Sequence, residues 1–172
     1  MNATLQYRYP RALRWIHWLS VALLAAAYIS ADSAEGHSWA GMNWHVLAGL
    51  GVLLMVVPRL MARLWAHEAP RLQSSLIERV FARTVHLALL LFMVVQPLIG
   101  LLITWAEGDP LIVPLLGWEI PPLLIVGDRG GEALEELHEV IGNVFYGVIG
   151  LHVLAALWHQ FVRRDDILRR ML

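Results

Sequence analysis

The chain of 172 residues contains no cysteine and no lysine, and only 16% of it is charged. Without cysteine there is no disulfide, no iron–sulfur cluster, no thiolate-ligated haem and no covalently attached c-type haem. Without lysine, all thirteen basic residues are arginine. Little charge, 58% hydrophobic content and a mean hydropathy of +0.58 exclude an ordinary soluble domain of this size. No repeat or low-complexity segment interrupts the chain.

A membrane is the solvent that such a composition requires. A hydrocarbon core of roughly 30 Å takes about 20 apolar residues per helix, and the segments 16–34, 42–64, 80–105 and 137–162 meet that length. The expectation is one domain over 1–172, an all-α integral membrane four-helix bundle. The first segment has a basic start and small residues at 31–34, as a cleaved signal would. Its length, with Trp15, His17 and Trp18 inside it, reads instead as a retained span.

The net charge of −1 conceals a separation of sign. Twelve of the thirteen arginines, all but Arg129, fall at the N-terminus (Arg8, Arg11, Arg14), around the second connection (Arg59, Arg63, Arg71, Arg79, Arg83) or at the C-terminus (Arg163, Arg164, Arg169, Arg170). The first and third connections carry carboxylates, among them Asp32, Glu35, Glu107, Asp109, Asp128, Glu132 and Glu135. The positive-inside rule therefore places both termini in the cytoplasm, with an even number of spans. The eight tryptophans cluster near segment ends, as interfacial belts do. Residues 111–126 are apolar but broken by Pro114, Pro121 and Pro122, so they are expected to form a cap on the outer face, with room for a short interfacial helix rather than a fifth span. Pro58 and Pro97 fall inside the second and third spans, where they are expected to kink the axis.

Histidine is the chemistry-bearing residue. His138 and His152 lie fourteen residues apart on the fourth segment. At about 100° per residue their rings are within roughly 40° of one face and about 21 Å apart along the axis. His17 opens the first helix and lies toward the cytoplasm, whereas His45 opens the returning helix and lies outward. Depth permits only the pairs His17/His152 and His45/His138. An ionisable group inside a membrane is costly, so four at matched depths point to function.

Zinc suits two-histidine sites poorly, and Glu139 points about 100° away from His138. Haem supplies four nitrogens of its own and needs only the two axial ligands. The pattern thus predicts two b-type haems between the helices, with both axial positions closed and outer-sphere electron transfer favoured over oxygen binding. Gly49 and Gly51 after His45, Gly142 after His138, and Gly147 and Gly150 before His152 either let helices approach closely or leave slots for flat porphyrins. Arg14, Arg59 and Arg63 are candidates for the haem propionates at the inner face.

His86 and His159 remain spare near the cytoplasmic end, where interfacial hydrogen bonding is the plain reading. Reduction of a quinone consumes protons, and His159, seven residues beyond His152, is the preferred relay because histidine ordinarily titrates near neutrality. His37 and His67 fall in loops and read as solvated.

These residues form a recognisable set. Arg14-Trp-Ile-His17-Trp18, Trp44-His45-Val-Leu-Ala-Gly49 with Pro58-Arg59-Leu60, and Gln96-Pro97-Leu98-Ile99-Gly100 occupy the first three helices. His138-Glu139-Val-Ile-Gly142-Asn143 and Gly150-Leu151-His152, followed by His159 and the tail Asp166-Ile-Leu-Arg-Arg-Met171, complete the fourth. In order and spacing, over nearly the whole chain, the sequence resembles the bacterial cytochrome b561 family of di-haem membrane cytochromes. The resemblance implies haem ligation by His17, His45, His138 and His152, and electron exchange with ubiquinone in the inner membrane. In one branch it implies oxidation of periplasmic superoxide, as in a superoxide:quinone oxidoreductase. A site that collects an anion should present positive charge, yet the outer segments of this chain carry Arg129 among many carboxylates. An electron-carrying anchor subunit of a dehydrogenase or hydrogenase is the alternative in another class, and a non-redox bundle using its histidines for ions is a third.

Overall fold

A computed structural model describes residues 8–35, 39–65 and 75–172. His37, His67 and Arg71 lie outside the described residues. Four long helices dominate: α1 (Arg11–Glu35), α2 (Trp39–Trp65), α3 (Leu76–Thr104) and α4 (Asp128–Trp158). All four are long and apolar enough to cross a membrane, so the fold is an all-α membrane four-helix bundle. A five-residue π-helical turn, His159–Arg163, closes α4 and is followed by the short α5 (Ile167–Met171).

The helices outrun the apolar segments that announced them, because hydropathy marks lipid thickness and not the end of backbone hydrogen bonding. α3 starts at a capping box, in which the Ser75 hydroxyl accepts from the Glu78 amide and the Glu78 carboxylate accepts from the Ser75 amide. α4 begins nine residues before position 137. Asp128 in its first turn suits the positive end of the helix dipole. Pro58 and Pro97 both lie within continuous helices.

Contacts between helices fix an up-and-down arrangement. At one end Arg59 of α2 meets His17 of α1, and Arg163 donates to Glu78 of α3 at 2.6 Å. At the other, His45 of α2 meets the Ala27 carbonyl of α1, and the Ala106 carbonyl just beyond α3 accepts from the Gly127 amide before α4. The arginines gather at the first end and the carboxylates of the third connection at the second.

The segment 111–126 folds differently from the expected interfacial helix. Leu111–Val113 and Trp118–Ile120 pair antiparallel, Leu111 opposite Ile120, as a small hairpin at the carboxylate-rich end. Its tight turn needs left-handed backbone at Leu115 and Gly117, and the prolines leave too short a run for a helix. Leu111 and Val113 turn inward while Ile112 between them is exposed, the two-residue alternation of a half-buried strand.

Packing is uneven. Val52, Val56 and Met93 form the buried core, with Leu23, Leu24, Met55, Leu90 and Val94 against it, so α1, α2 and α3 make one packed body. α4 has no buried residue in its most apolar stretch. It is held at mid-height by aromatic rings: Phe145 stacks on Phe92 of α3 at 3.9 Å, Tyr146 packs on Tyr28 of α1 at 4.3 Å, and the Tyr28 hydroxyl donates to the Gly142 carbonyl at 2.9 Å. Lipid provides no hydrophobic drive between helices, so such ring contacts and hydrogen bonds carry the association. Above and below this girdle α3 stays close to α4, through Gln96 at the His138 carbonyl and His86 beside His152.

Candidate functional site

The two histidine pairs sit on either side of the aromatic girdle. Phe145 lies seven residues from His138 and seven from His152, two turns each way on the same face. Across the gap toward the carboxylate-rich end, the His45 and His138 ring centres are 6.0 Å apart with planes at 72°. Toward the arginine-rich end, those of His17 and His152 are 6.4 Å apart at 66°. Iron held at about 2 Å by one nitrogen from each of two opposed imidazoles sets the ring centres about 6 Å apart. Both pairs have this separation.

The surroundings of the carboxylate-end pair suit ligation. The His45 Nδ1–H donates to the Ala27 carbonyl at 2.9 Å, which leaves Nε2 with its lone pair for a metal. His138 is located through its main chain, because the Gln96 side-chain amide donates to its carbonyl at 2.6 Å. Its Nδ1 is buried without a protein partner among the described residues. Gly100 permits the approach of α3, since a Cβ there would already lie 3.5 Å from the His138 ring. Gly49, one turn from His45 on the same face, behaves differently: a Cβ there would meet nothing within 4 Å. A close helix contact is thereby excluded at Gly49, and open space lies beside it.

At the arginine-rich end a third histidine joins the pair. His86 of α3 lies 5.3 Å from His152, nearer than two ligands of one iron stand, so it reads as a neighbour of the pair. Sequence depth put it at this level but gave no sign of which way it faced. Arg59 lies 3.2 Å from His17 Nδ1. Arginine only donates, so this contact makes Nδ1 the acceptor and puts the proton on Nε2. Ligation through Nε2 requires the opposite tautomer. Were His17 to hold iron through Nε2, the Arg59 contact would have to be given up, and the guanidinium beside the site would then be placed to pair with a carboxylate. Arg14 is occupied elsewhere, donating to the Leu172 carbonyl, while Trp18 donates to the Met171 carbonyl at 2.9 Å; both clamp α5 over the start of α1.

His159 is not part of either pair, and instead binds Asp165 at 2.6 Å. The four girdle rings and Asp165 escaped the sequence reading, and Gln96 was noted there only as part of a motif, without its contact to His138. Phe145, spaced evenly between two histidines, was the one signal available. Each facing pair offers two imidazoles, the number that a group bringing its own equatorial ligands needs. The residues present thus fit haem b, with histidines on both axial sides and open space beside Gly49.

The family model described as prokaryotic cytochrome b561 matches residues 8–172. A Yersinia pestis protein described as "probable superoxide oxidase CybB" is 28% identical over 162 residues, covering 91% of each chain. Cytochrome b561 homolog 1 of Escherichia coli K12 is 22% identical over 96% of this chain and 97% of its own. Its homolog 2 is 27% identical over 91% and 86%. Apolar spans, facing histidine pairs and a match along almost the entire length converge on one conclusion: the chain belongs to the prokaryotic cytochrome b561 family, the haem-b-binding, multi-pass membrane cytochromes of bacterial electron transport.

Proposed function

We propose that this cytochrome holds two haems b, one between His45 and His138 and one between His17 and His152, and carries electrons across the bacterial inner membrane from a periplasmic one-electron donor, superoxide, to ubiquinone near the cytoplasmic face. The observation that supports this most is the pair of ring separations, 6.0 and 6.4 Å, at two depths of one bundle. Orientation follows from arginine at the His17/His152 end. Bound haem b supplies reversible one-electron storage at its iron.

The chain's own part is to hold and separate. His138 and His152 sit about 21 Å apart along α4, and the stacked Phe92 and Phe145 fill the height between them. Gln96 and the Ala27 carbonyl fix the carboxylate-end pair. Arg59 serves the inner pair, and His159 at the arginine-rich end is the proton relay to quinone.

Superoxide approaching the outer face meets a cleft of about 290 Å³ lined by Glu107, Asp109, Asp128, Glu132 and Glu135. Like charge slows such an encounter, and salt screens it. Stopped-flow mixing of oxidised protein with superoxide is expected to reduce haem at a rate that rises with ionic strength, and added quinone is expected to reoxidise it. Haem that stays oxidised under superoxide, yet is reduced quickly by ascorbate, would overturn the choice of donor.

One observation favours a second reading, an anchor subunit that passes electrons to a partner enzyme. Leu115, Trp118 and Leu123 around the hairpin are 85%, 67% and 81% exposed, a patch suited to docking. A stoichiometric partner retained on purification from native membranes would support it.

A further inference from the structure

The end of α4 is built around one contact that the haem sites do not use. At His159 the helix widens into a π-turn through Arg163, a distortion that costs regular hydrogen bonding and marks functional positions more often than ordinary ends. The chain then passes through left-handed backbone at Arg164 (φ 55°) and again at Asp166 (φ 58°), neither of them glycine. Between these two strained residues stands Asp165. Its carboxylate is 2.6 Å from His159 Nδ1 and 3.9 Å from Arg163 Nε, and its other oxygen accepts from the Ile167 amide at 3.4 Å. Its own amide donates to the His159 carbonyl at 3.3 Å. Side chain and main chain alike are turned on one histidine.

From this we infer that Asp165 is a positioning residue for proton delivery, a role that rests on the reading of His159 as the relay to quinone. An ionised carboxylate only accepts, so it holds the proton of His159 on Nδ1 and leaves Nε2 as the nitrogen that takes and gives protons. Backbone strain maintained beside a chemical group is characteristic of such orientation. Each quinone leaving as quinol gains two electrons, delivered singly from haem, and two protons. His159 Nε2 passes each proton on and is refilled from water at the arginine-rich face. Charged groups near the dyad among the described residues include Arg163 on the same turn, Glu78 of α3 bonded to Arg163 at 2.6 Å, and the Asp166–Arg169 pair at the start of α5.

The test uses the haem-loaded protein in bilayers, prereduced and mixed with a short-chain ubiquinone across about pH 5 to 9. Asp165→Asn and His159→Gln are each expected to slow reoxidation about tenfold or more and to remove its titrating step, with the double variant no slower than either. Asp165→Glu is expected to restore most of the rate. Nitrogen-15 NMR of labelled histidine supplies a readout independent of turnover, expected to show His159 protonated at Nδ1 in the native chain and at Nε2 in Asp165→Asn. Reoxidation of Asp165→Asn at the native rate and with the native pH profile, while His159→Gln is slow, overturns the role of Asp165 alone. A native protein that quinone does not reoxidise overturns the quinone reading and this role with it.

Discussion

Leucine in place of His45 and leucine in place of His138 are expected to remove one and the same haem, lowering haem content by roughly half while the second haem keeps its low-spin spectrum. The two ring centres lie 6.0 Å apart, and an iron held by either ring alone would lack its second axial ligand. His17→Leu and His152→Leu are expected to remove the other haem. The Phe92–Phe145 stack stands between the two pairs, so loss of one haem is expected to leave the other in place. His86 is the internal control. Although it lies only 5.3 Å from His152, His86→Gln is expected to retain both haems. Pyridine haemochromogen content with reduced-minus-oxidised spectra checks each variant, and loss of different haems from His45→Leu and His138→Leu would refute the pairing.

Gly49→Leu is expected to give a protein that inserts at the normal level and lacks the carboxylate-end haem. A Cβ at Gly49 touches nothing within 4 Å, whereas one at Gly51 would press on Leu23 at 3.0 Å. Gly51 is therefore a packing glycine, and Gly49 faces space. Leucine is among the better helix formers and glycine among the worst, by about 1 kcal/mol, so α2 itself is not weakened. Four residues after His45, the new side chain projects within about 40° of the ligand's direction and fills the slot that the porphyrin needs. Full haem content in Gly49→Leu, measured against protein in the membrane fraction, would show that this glycine faces lipid instead.

Both predictions join what sequence made readable to what it did not. Helical periodicity and span direction sufficed to pair His17 with His152 and His45 with His138, since depth along a helix is a linear property of the chain. Rotation about the helix axis is not, when nearly every face is apolar. That is why His86 turned out to face His152, and why Gln96 reached the His138 carbonyl unannounced. Hydropathy likewise located the spans but not the first turns of α3 and α4, which extend into polar sequence under the control of Ser75, Glu78 and Asp128. The hairpin was hidden because its turn places Leu115, a residue with no turn preference, in left-handed backbone. The Asp165 contact depends on a π-turn and two left-handed residues, none of which has a sequence signature.

Two irons, each gripped from both sides by imidazole, would give the protein a distinct signature. Purified, haem-replete protein is expected to contain two haems b per polypeptide, both low-spin in electron paramagnetic resonance and neither binding carbon monoxide when reduced. One haem per chain, or a reduced haem that takes up carbon monoxide with an open axial position, would contradict it.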